Sequence, residues 1–315
     1  MPTPPDTDRR AARSRRRAVA WICLLATVLV PVDLASLPAG AAEGDSPPSG
    51  GVSPGAPTRY YLSLGDSLAA GVQPDSQGRD HPTDKGYVDA IAAHVRKRVP
   101  GLQEVKLGGA GTSGSAITGP PANSAYPGSS QLDQAVRFLH SHRKQVVLIT
   151  VNLGDNDVEG CVHASGIDQG CVSRGLAQVS QNLTKIGQRL REKAGKRVPI
   201  VGISDYDQFW AYWLNGSKGR SVARSSEDLI RKLNRTVDSS WKQAQVTSAD
   251  AASRFHTFDT HQTTLAGHGE VPRAVQRICK LTWACSGPPI GFDDHANSRG
   301  YKQIARAVIA ALPQR

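Results

Sequence analysis

Apolar and polar positions along the chain follow two periods in turn, and together they predict alternating strands and helices. Strand-like runs occupy residues 60–64, 104–107, 145–152, 198–204 and 246–249, and amphipathic helix-like stretches occupy residues 87–99, 131–142, 172–193, 225–245 and 297–312. The run "QVVLITVN" (145–152) is nearly continuous and rich in β-branched residues, which is typical of a strand covered on both faces. This alternation favours a three-layer α/β/α domain built on a mostly parallel sheet.

The beginning of the chain differs in kind from the rest. Six arginines between positions 9 and 17 precede an apolar run over residues 18–32, and a small-x-small site follows, ending at Ala41. This order predicts a secretory signal peptide over residues 1–42, cleaved near Ala41 or Ala42. A membrane anchor is the alternative, but a proline and an aspartate break the run, which is shorter than the roughly 20 residues that a spanning helix needs. The sequence therefore predicts a secreted, extracellular protein.

A compositional break separates this leader from the remainder. Residues 43–58, "EGDSPPSGGVSPGAPT", consist largely of Pro, Gly and Ser and hold few apolar side chains. Such a segment cannot bury enough apolar surface to offset the entropy cost of ordering it, so we predict a flexible linker. Residues 59–315 show no second break and no internal repeat, and their length suits a single α/β domain.

The chain carries a formal net charge of +11, with 38 Lys and Arg residues against 27 Asp and Glu residues. The cations are scattered, and no aromatic residues are interleaved with them at the spacing of a single-strand-binding surface. We therefore predict no nucleic-acid partner. Peripheral attraction to an anionic wall or lipid surface is compatible with this charge.

Five cysteines are present, and Cys23 lies in the predicted leader. The four that remain are Cys161, Cys171, Cys279 and Cys285, an even number that indicates disulfides in an exported chain. Three pairings are possible. The local one, Cys161–Cys171 with Cys279–Cys285, closes the shortest loops and is the one we expect. A zinc site is the rival interpretation, but the sequence lacks a C-x-x-C pair.

Four sequence blocks fall where a parallel sheet places its functional loops, at the carboxyl ends of the strands. Three follow predicted strands, "GDSL" (65–68), "KLGGAGTSGS" (106–115) and "NLGDND" (152–157), and "GFDDHANSRGY" (291–301) precedes the last predicted helix. They supply a hydroxyl, amides of small residues, a carboxamide and an imidazole, which are the parts of an acyl-transfer site. Taken alone, Ser67 would be interpreted as a helix N-cap, but the other three blocks favour a nucleophile.

In order and spacing, these blocks resemble those of the SGNH hydrolases, also called the GDSL esterase and lipase family, and especially its secreted actinobacterial members. The resemblance covers residues 60–311 and includes "GDND" and a near-C-terminal "HAN" followed by "GY". It implies the SGNH hydrolase fold with a flavodoxin-like sheet. It also implies Ser67 as nucleophile, His295 as general base, and Gly111 and Asn156 as oxyanion donors beside the N–H of Ser67. Neither a metal ion nor a cofactor is implied.

Two positions of this pattern stay open. The Gly-rich block lacks the asparagine that is common in the family, so Gly109 is an alternative to Gly111 as oxyanion donor. The family usually places an aspartate three residues before the histidine, but that position holds Phe292. Either Asp293 reaches the imidazole by a different loop path, or the backbone carbonyl of Phe292 accepts the Nδ1 proton in a Ser–His dyad.

The sequence thus predicts an exported, monomeric esterase or lipase that cleaves carboxylic esters through an acyl-Ser67 intermediate. A carbohydrate O-deacetylase acting on cell-wall or plant polysaccharide is an alternative within the same chemistry. A catalytically silent protein that binds glycan or lipid is the alternative from another class. The presence of every catalytic residue type argues against that last alternative.

Overall fold

The protein is described here by a computed structural model that covers residues 57–109, 112–118 and 129–313. The predicted signal peptide (1–42) and the predicted linker up to residue 56 lie outside the described residues, and so does Gly111. The domain boundaries and the cleavage site therefore stay predictions.

Strands of the described chain form one parallel sheet and three short antiparallel hairpins. They are β1 (Arg59–Gly65), β2 (Gln73–Pro74), β3 (Asp80–His81), β4 (Leu102–Lys106), β5 (Val146–Asn152), β6 (Val162–His163), β7 (Gly166–Ile167), β8 (Ile200–Ile203), β9 (Thr247–Ala249), β10 (Gln262–Leu265) and β11 (Gly269–Pro272). The five-stranded sheet has the order β4-β1-β5-β8-β9, and all its neighbouring pairs are parallel. This is a flavodoxin-like order, and it confirms the predicted mostly parallel sheet.

Helices cover both faces of this sheet. They are α1 (Ser67–Ala70), α2 (Tyr87–Arg96), α3 (Gly114–Thr118), α4 (Gln131–His142), α5 (Gln169–Ala194), α6 (Gly216–Gln243), α7 (Ala251–Arg254), α8 (Arg273–Leu281) and α9 (Ser298–Ala311). Leu62 and Leu64 of β1 belong to a core with residues of α4, α5 and α6, whereas Tyr61 belongs to a second core with residues of α2, α8 and α9. Burial on both faces explains the nearly continuous apolar strands and confirms the three-layer α/β/α class.

Several elements differ from the sequence prediction. Helix α6 begins at Gly216, nine residues before the predicted start at 225. Its first turns bury little apolar surface besides Val222 and Ala223, so the apolar period that predicts a helix is weak there. These turns follow a 3₁₀ segment, Gln208–Asn215, which the sequence analysis did not predict. Helix α8 and the three hairpins were also missed, because they are short.

Both expected cysteine pairs lie at disulfide-bonding distance. The Cα atoms of Cys161 and Cys171 are 5.5 Å apart, and those of Cys279 and Cys285 are 5.0 Å apart, both within the usual disulfide range. The first bridge joins the loop after β5 to the start of α5. The second lies in and just after α8, shortly before the loop that carries His295.

Among the described helices, none combines the length and the apolar character that a membrane-spanning segment requires.

Candidate active site

Ser67 lies at the turn between β1 and α1, at the carboxyl end of the sheet. The N-cap of α1 is Asp66, whose Oδ1 accepts a hydrogen bond from the N–H of Leu68 at 2.9 Å. The interpretation of Ser67 as the cap is therefore wrong, because a neighbouring carboxylate has that role. Ser67 is the first residue of the helix, and it lines a small cavity of about 30 Å³.

Gly65 allows the backbone to turn sharply between β1 and α1. Its φ is +143°, and a Cβ at this position would lie 2.4 Å from the carbonyl oxygen of Asn152 on β5. The buried side chain of Gln131 holds both polar groups of Gly65: Oε1 accepts from its N–H at 2.8 Å, and Nε2 donates to its carbonyl at 3.0 Å. Only glycine fits this conformation and this close approach.

The Gly-rich block packs against the helix that begins at Ser67. A Cβ on Gly108 would lie 2.7 Å from the Cβ of Ala69, so this approach also requires glycine. The N–H of Gly109 donates to the carbonyl of Gly65 at 3.2 Å. Because that amide already has a partner in the turn, the structure disfavours Gly109 as the oxyanion donor.

Asn156 lies in the loop after β5 and lines the same cavity as Ser67. Its Nδ2 donates one hydrogen bond to the carbonyl of Thr112 at 3.3 Å. Next to it, Oδ2 of Asp157 accepts from the N–H of Gly114 at 3.0 Å. These two contacts tie the loop after β5 to the Gly-rich block, and they hold the carboxamide beside the cavity with a second N–H still to donate.

His295 also lines this cavity, and its partner is a carboxylate. Oδ1 of Asp293 lies 2.9 Å from Nδ1 of His295 and also accepts the backbone N–H of His295 at 2.9 Å. Of the two candidate partners, the structure thus places Asp293 rather than the carbonyl of Phe292 at Nδ1. Once the imidazole is neutral, Nδ1–H donates to Asp293 and Nε2 is the acceptor, which is the tautomer that a general base needs.

The loop that carries His295 is fixed by contacts on both sides of it. The N–H of Trp283 donates to the carbonyl of His295 at 3.0 Å, and the Cys279–Cys285 bridge brackets Trp283. The hydroxyl of Tyr206 donates to the carbonyl of Asp294 at 2.8 Å. These contacts restrict where the imidazole can lie.

Five carboxyl groups line this cavity, and the sequence analysis predicted none of them as a site residue. Asp66, Asp155, Glu159, Asp205 and Asp294 all line it. Burial raises the pKa of Asp66 to about 7, and burial together with repulsion between the carboxylates raises the pKa values of Asp155, Glu159 and Asp205. The only signals for Asp155 and Asp294 were the aspartates of "DND" (155–157) and "DD" (293–294), and the sequence does not show whether such a carboxylate is buried.

The pKa of His295 is set by a competition between burial and these charges. Burial lowers this pKa, but the hydrogen bond that Nδ1–H donates to Asp293 and the charges of Asp294, Asp293 and Asp80 outweigh that effect and raise the pKa to about 9. Oδ1 of Asp294 lies 3.7 Å and Oδ1 of Asp80 lies 3.9 Å from Nδ1. The free protein therefore holds a protonated imidazole at neutral pH.

Two groups in this region have the composition of a cation site. Oxygens of Asp155, Glu159 and Asp294 lie within 4.8 Å of one another, and so do ligand atoms of Asp80, Asp293 and His295. The second group already satisfies itself, because Asp293 bonds His295. The first group has no Lys or Arg ion-pair partner within the described part of the chain.

A larger cavity, of about 1440 Å³, lies at the other end of the sheet. Val146, the first residue of β5, and Pro199, just before β8, line it. None of the predicted site residues that the structure describes lies there. The candidate catalytic side chains therefore lie at the small cavity, which Ser67, Asn156 and His295 all line.

These features define a three-layer α/β/α protein in which a serine and a histidine meet at the carboxyl edge of the parallel sheet. Residues 63–303 match the GDSL-like lipase/acylhydrolase family. Because the match spans more than half of the 315 residues, the chain belongs to this family and is a carboxylic ester hydrolase.

Two solved structures illustrate the shared fold. The extracellular lipase of Streptomyces rimosus has 17% identity and a TM-score of 0.51, with 81% of this chain and 100% of that chain covered. Phospholipase A1 of Streptomyces albidoflavus NA297 has 18% identity and a TM-score of 0.50, with the same coverage of 81% and 100%. At these identities the similarity shows the fold. No curated protein matches the chain significantly.

The titration of His295 gives a first prediction. We expect its imidazole to titrate near pH 9 in NMR spectra, with the resonance assigned by its loss in His295→Gln, and to move toward the ordinary value of about 6.5 in Asp293→Asn. Because the folded pKa lies above the unfolded one, protonated His295 stabilises the fold fully below about pH 6.5, and this contribution is lost as the pH rises through about 9. A midpoint near 6.5 in the unaltered protein would contradict the carboxylate-bound geometry.

Proposed function

We propose that the protein is a secreted serine esterase that cleaves carboxylic esters through an acyl-Ser67 intermediate. One observation carries this proposal: Ser67, Asn156 and His295, which lie far apart in the sequence, line one small cavity, with His295 bonded to Asp293. Each supplies a different part of an acyl-transfer mechanism.

In the proposed mechanism, Nε2 of His295 takes the proton of the Ser67 hydroxyl as its oxygen attacks the ester carbonyl. Asp293 holds the imidazole through Nδ1 and stabilises the imidazolium that forms. The proton then passes to the leaving alcohol, and a water molecule activated by the same imidazole releases the acid. Since the free imidazole is a cation below about pH 9, the reaction depends on its losing that proton first.

The oxyanion is the second requirement of this mechanism. The N–H of Ser67 lies in the first turn of α1, where backbone donors lack an intrahelical partner. The carboxamide of Asn156 supplies a side-chain N–H, and we propose the amide of Gly111 as the third donor. Each donor of this kind is worth on the order of 10² to 10³ in rate.

Export is the proposed localisation. The basic and apolar order of residues 1–42 is the main support, and the two cysteine pairs at bonding distance fit an oxidising compartment. Cleavage near Ala41 or Ala42 would leave the described domain behind a short linker.

A second candidate within the same chemistry is a carbohydrate O-deacetylase. The cavity beside Ser67 is partly enclosed and has a volume of only about 30 Å³. Such a cavity suits an acetyl group better than a long acyl chain.

Labelling tests the nucleophile. We expect a fluorophosphonate probe to modify the folded protein at Ser67, and Ser67→Ala to abolish both labelling and hydrolysis of p-nitrophenyl acetate, because the attacking oxygen is gone. Ser239→Ala, at an exposed serine of α6, is the matched control and should keep both. Folded protein that is not labelled would exclude the serine hydrolase mechanism.

The orienting role of Asp293 makes a separate prediction. We expect Asp293→Asn to lower kcat by about 10⁴, as loss of a triad aspartate does, and to shift the pH at half-maximal kcat/KM downward from about 9. Asp228→Asn, at an exposed carboxylate of α6, should change kcat less than about twofold. Nearly intact turnover in Asp293→Asn would instead support the dyad with the carbonyl of Phe292.

Acyl length provides the third test of this proposal. We expect kcat/KM to fall by about tenfold or more between the acetyl and lauroyl esters of p-nitrophenol, because a cavity of about 30 Å³ cannot enclose a long chain. Release of acetate from acetylated xylan would favour the deacetylase. A rise in kcat/KM with chain length would favour a lipase and contradict the short-acyl preference.

A further inference from the structure

The larger cavity, at the end of the sheet opposite Ser67, is lined by basic side chains. They are His94, Arg98, Arg143, Lys144, Lys196 and Arg197. Among the described residues that line it, none is Asp or Glu. We call this cavity the basic groove. Its charge is opposite in sign to that of the small cavity, where the carboxyl groups lie.

The five Lys and Arg side chains of the basic groove are exposed, and none of them forms an ion pair with a carboxylate in the described part of the chain. Arg98 follows α2, Arg143 and Lys144 follow α4, and Lys196 and Arg197 follow α5. Cations are favourable near the C-terminal end of a helix because of the helix dipole, which explains why all five have the same sign. Since no described carboxylate neutralises them, their charge is available to an anionic ligand.

The loops that carry most of these cations contact each other. A Cβ on Gly195 would lie 2.6 Å from Nη2 of Arg143, so this guanidinium packs on the turn after α5. The same turn is held from inside the protein, because Nη1 of Arg191 donates to the carbonyls of Gly195 at 3.0 Å and Val198 at 2.7 Å. These contacts fix the backbone on which Lys196 lies, so the cations of the two loops stay close together.

Apolar side chains form the rest of the lining. Five of them pack against the core that includes α2 and α9 but are only partly buried, namely Val95, Val99, Val147, Ile309 and Leu312. Each therefore still presents apolar surface to water inside the groove. An aliphatic chain that covers this surface is stabilised by the hydrophobic effect, in proportion to the area removed from water.

We propose that the basic groove binds an anionic amphiphile, with long-chain carboxylates as the class. The cations attract the carboxylate head, and the apolar lining contacts the chain. Both features are needed for this choice, since a small anion leaves the apolar surface uncovered and a neutral chain leaves the cations without a partner. The groove and the small cavity share none of their described lining residues, so this site is separate from the proposed catalytic site and does not depend on the proposed activity.

Three ligands separate the contribution of the head from that of the chain. Laurate has both features, dodecyltrimethylammonium has a chain of the same length with the opposite charge, and acetate has the head without the chain. In calorimetric titrations at pH 8 and low salt, below the micelle-forming concentrations, we expect laurate to bind about tenfold or more tightly than either of the others. The preference over dodecyltrimethylammonium should become smaller in 0.5 M NaCl, where screening is strong.

Three variants assign the binding to the basic groove. We expect Arg143→Gln and Lys196→Gln each to weaken laurate binding by about threefold or more, because each removes one charge. Leu312→Ser should weaken it by a similar factor, because it removes apolar surface from the lining. Lys302→Gln, at an exposed cation of α9 outside the groove lining, is the matched control and should leave the affinity unchanged. Circular dichroism spectra check that each variant is folded.

The outcomes separate this site from the catalytic cavity and from a membrane surface. No binding of laurate, equal binding of laurate and dodecyltrimethylammonium, or binding that none of the three folded variants weakens would overturn the proposal. Loss of laurate binding after fluorophosphonate labelling of Ser67 would place the ligand in the small cavity and overturn it as well. Binding to vesicles of anionic phospholipid without binding of free laurate would make the groove a membrane-docking surface instead of an amphiphile site.

Discussion

The close contact between the carboxyl ends of β1 and β5 is the constraint on which the site depends. Gly65 approaches Asn152 too closely for any Cβ, and the buried amide of Gln131 satisfies both polar groups of Gly65. This contact sets the direction in which the chain leaves the sheet, so that α1 begins at Ser67 directly above the sheet edge. Asn156 follows Asn152 by four residues, and the same contact therefore places the hydroxyl and the carboxamide together. The loop from α8 to α9 then needs only to bring His295 to a position already defined.

The placement of His295 at the cavity depends on electrostatics as well as on geometry. His295 reaches a cavity whose other ionisable groups are carboxylates, and the hydrogen bond to Asp293 makes the protonated imidazole the stable form up to about pH 9. Burial alone would favour the neutral base. In the proposed mechanism, the arrangement thus stabilises the imidazolium that forms during attack by Ser67, at the cost of a base that is mostly protonated at neutral pH. Transition-state stabilisation and availability of the base oppose each other here.

The sequence was sufficient to predict the sheet and to name candidate site residues that line one cavity, and it was insufficient for the surroundings of those residues. The β-branched run of β5 and the amphipathic period of α4 reflect burial directly, so both were predicted within a residue of the observed ends. The first turns of α6 bury too little apolar surface to give such a signal. Asp80 is similar: it lies on a two-residue strand, and only tertiary packing of that hairpin brings its Oδ1 to 3.9 Å from the imidazole. Taken alone, the first loop favoured Ser67 as the N-cap of α1, because serine and aspartate are both good caps and sequence preference could not distinguish Asp66 from Ser67.

Net charge and site charge are separate quantities in this protein, and they act over different distances. The cations of the chain are scattered over its surface, where ions screen them beyond about 8 to 10 Å. The carboxyl groups beside Ser67 share a small, partly enclosed cavity in which screening is weaker, and burial together with repulsion between them raises the pKa values of Asp155 and Asp205. A net charge of +11 can therefore favour approach to an anionic surface, while burial in the cavity holds Asp155 and Asp205 toward their neutral forms.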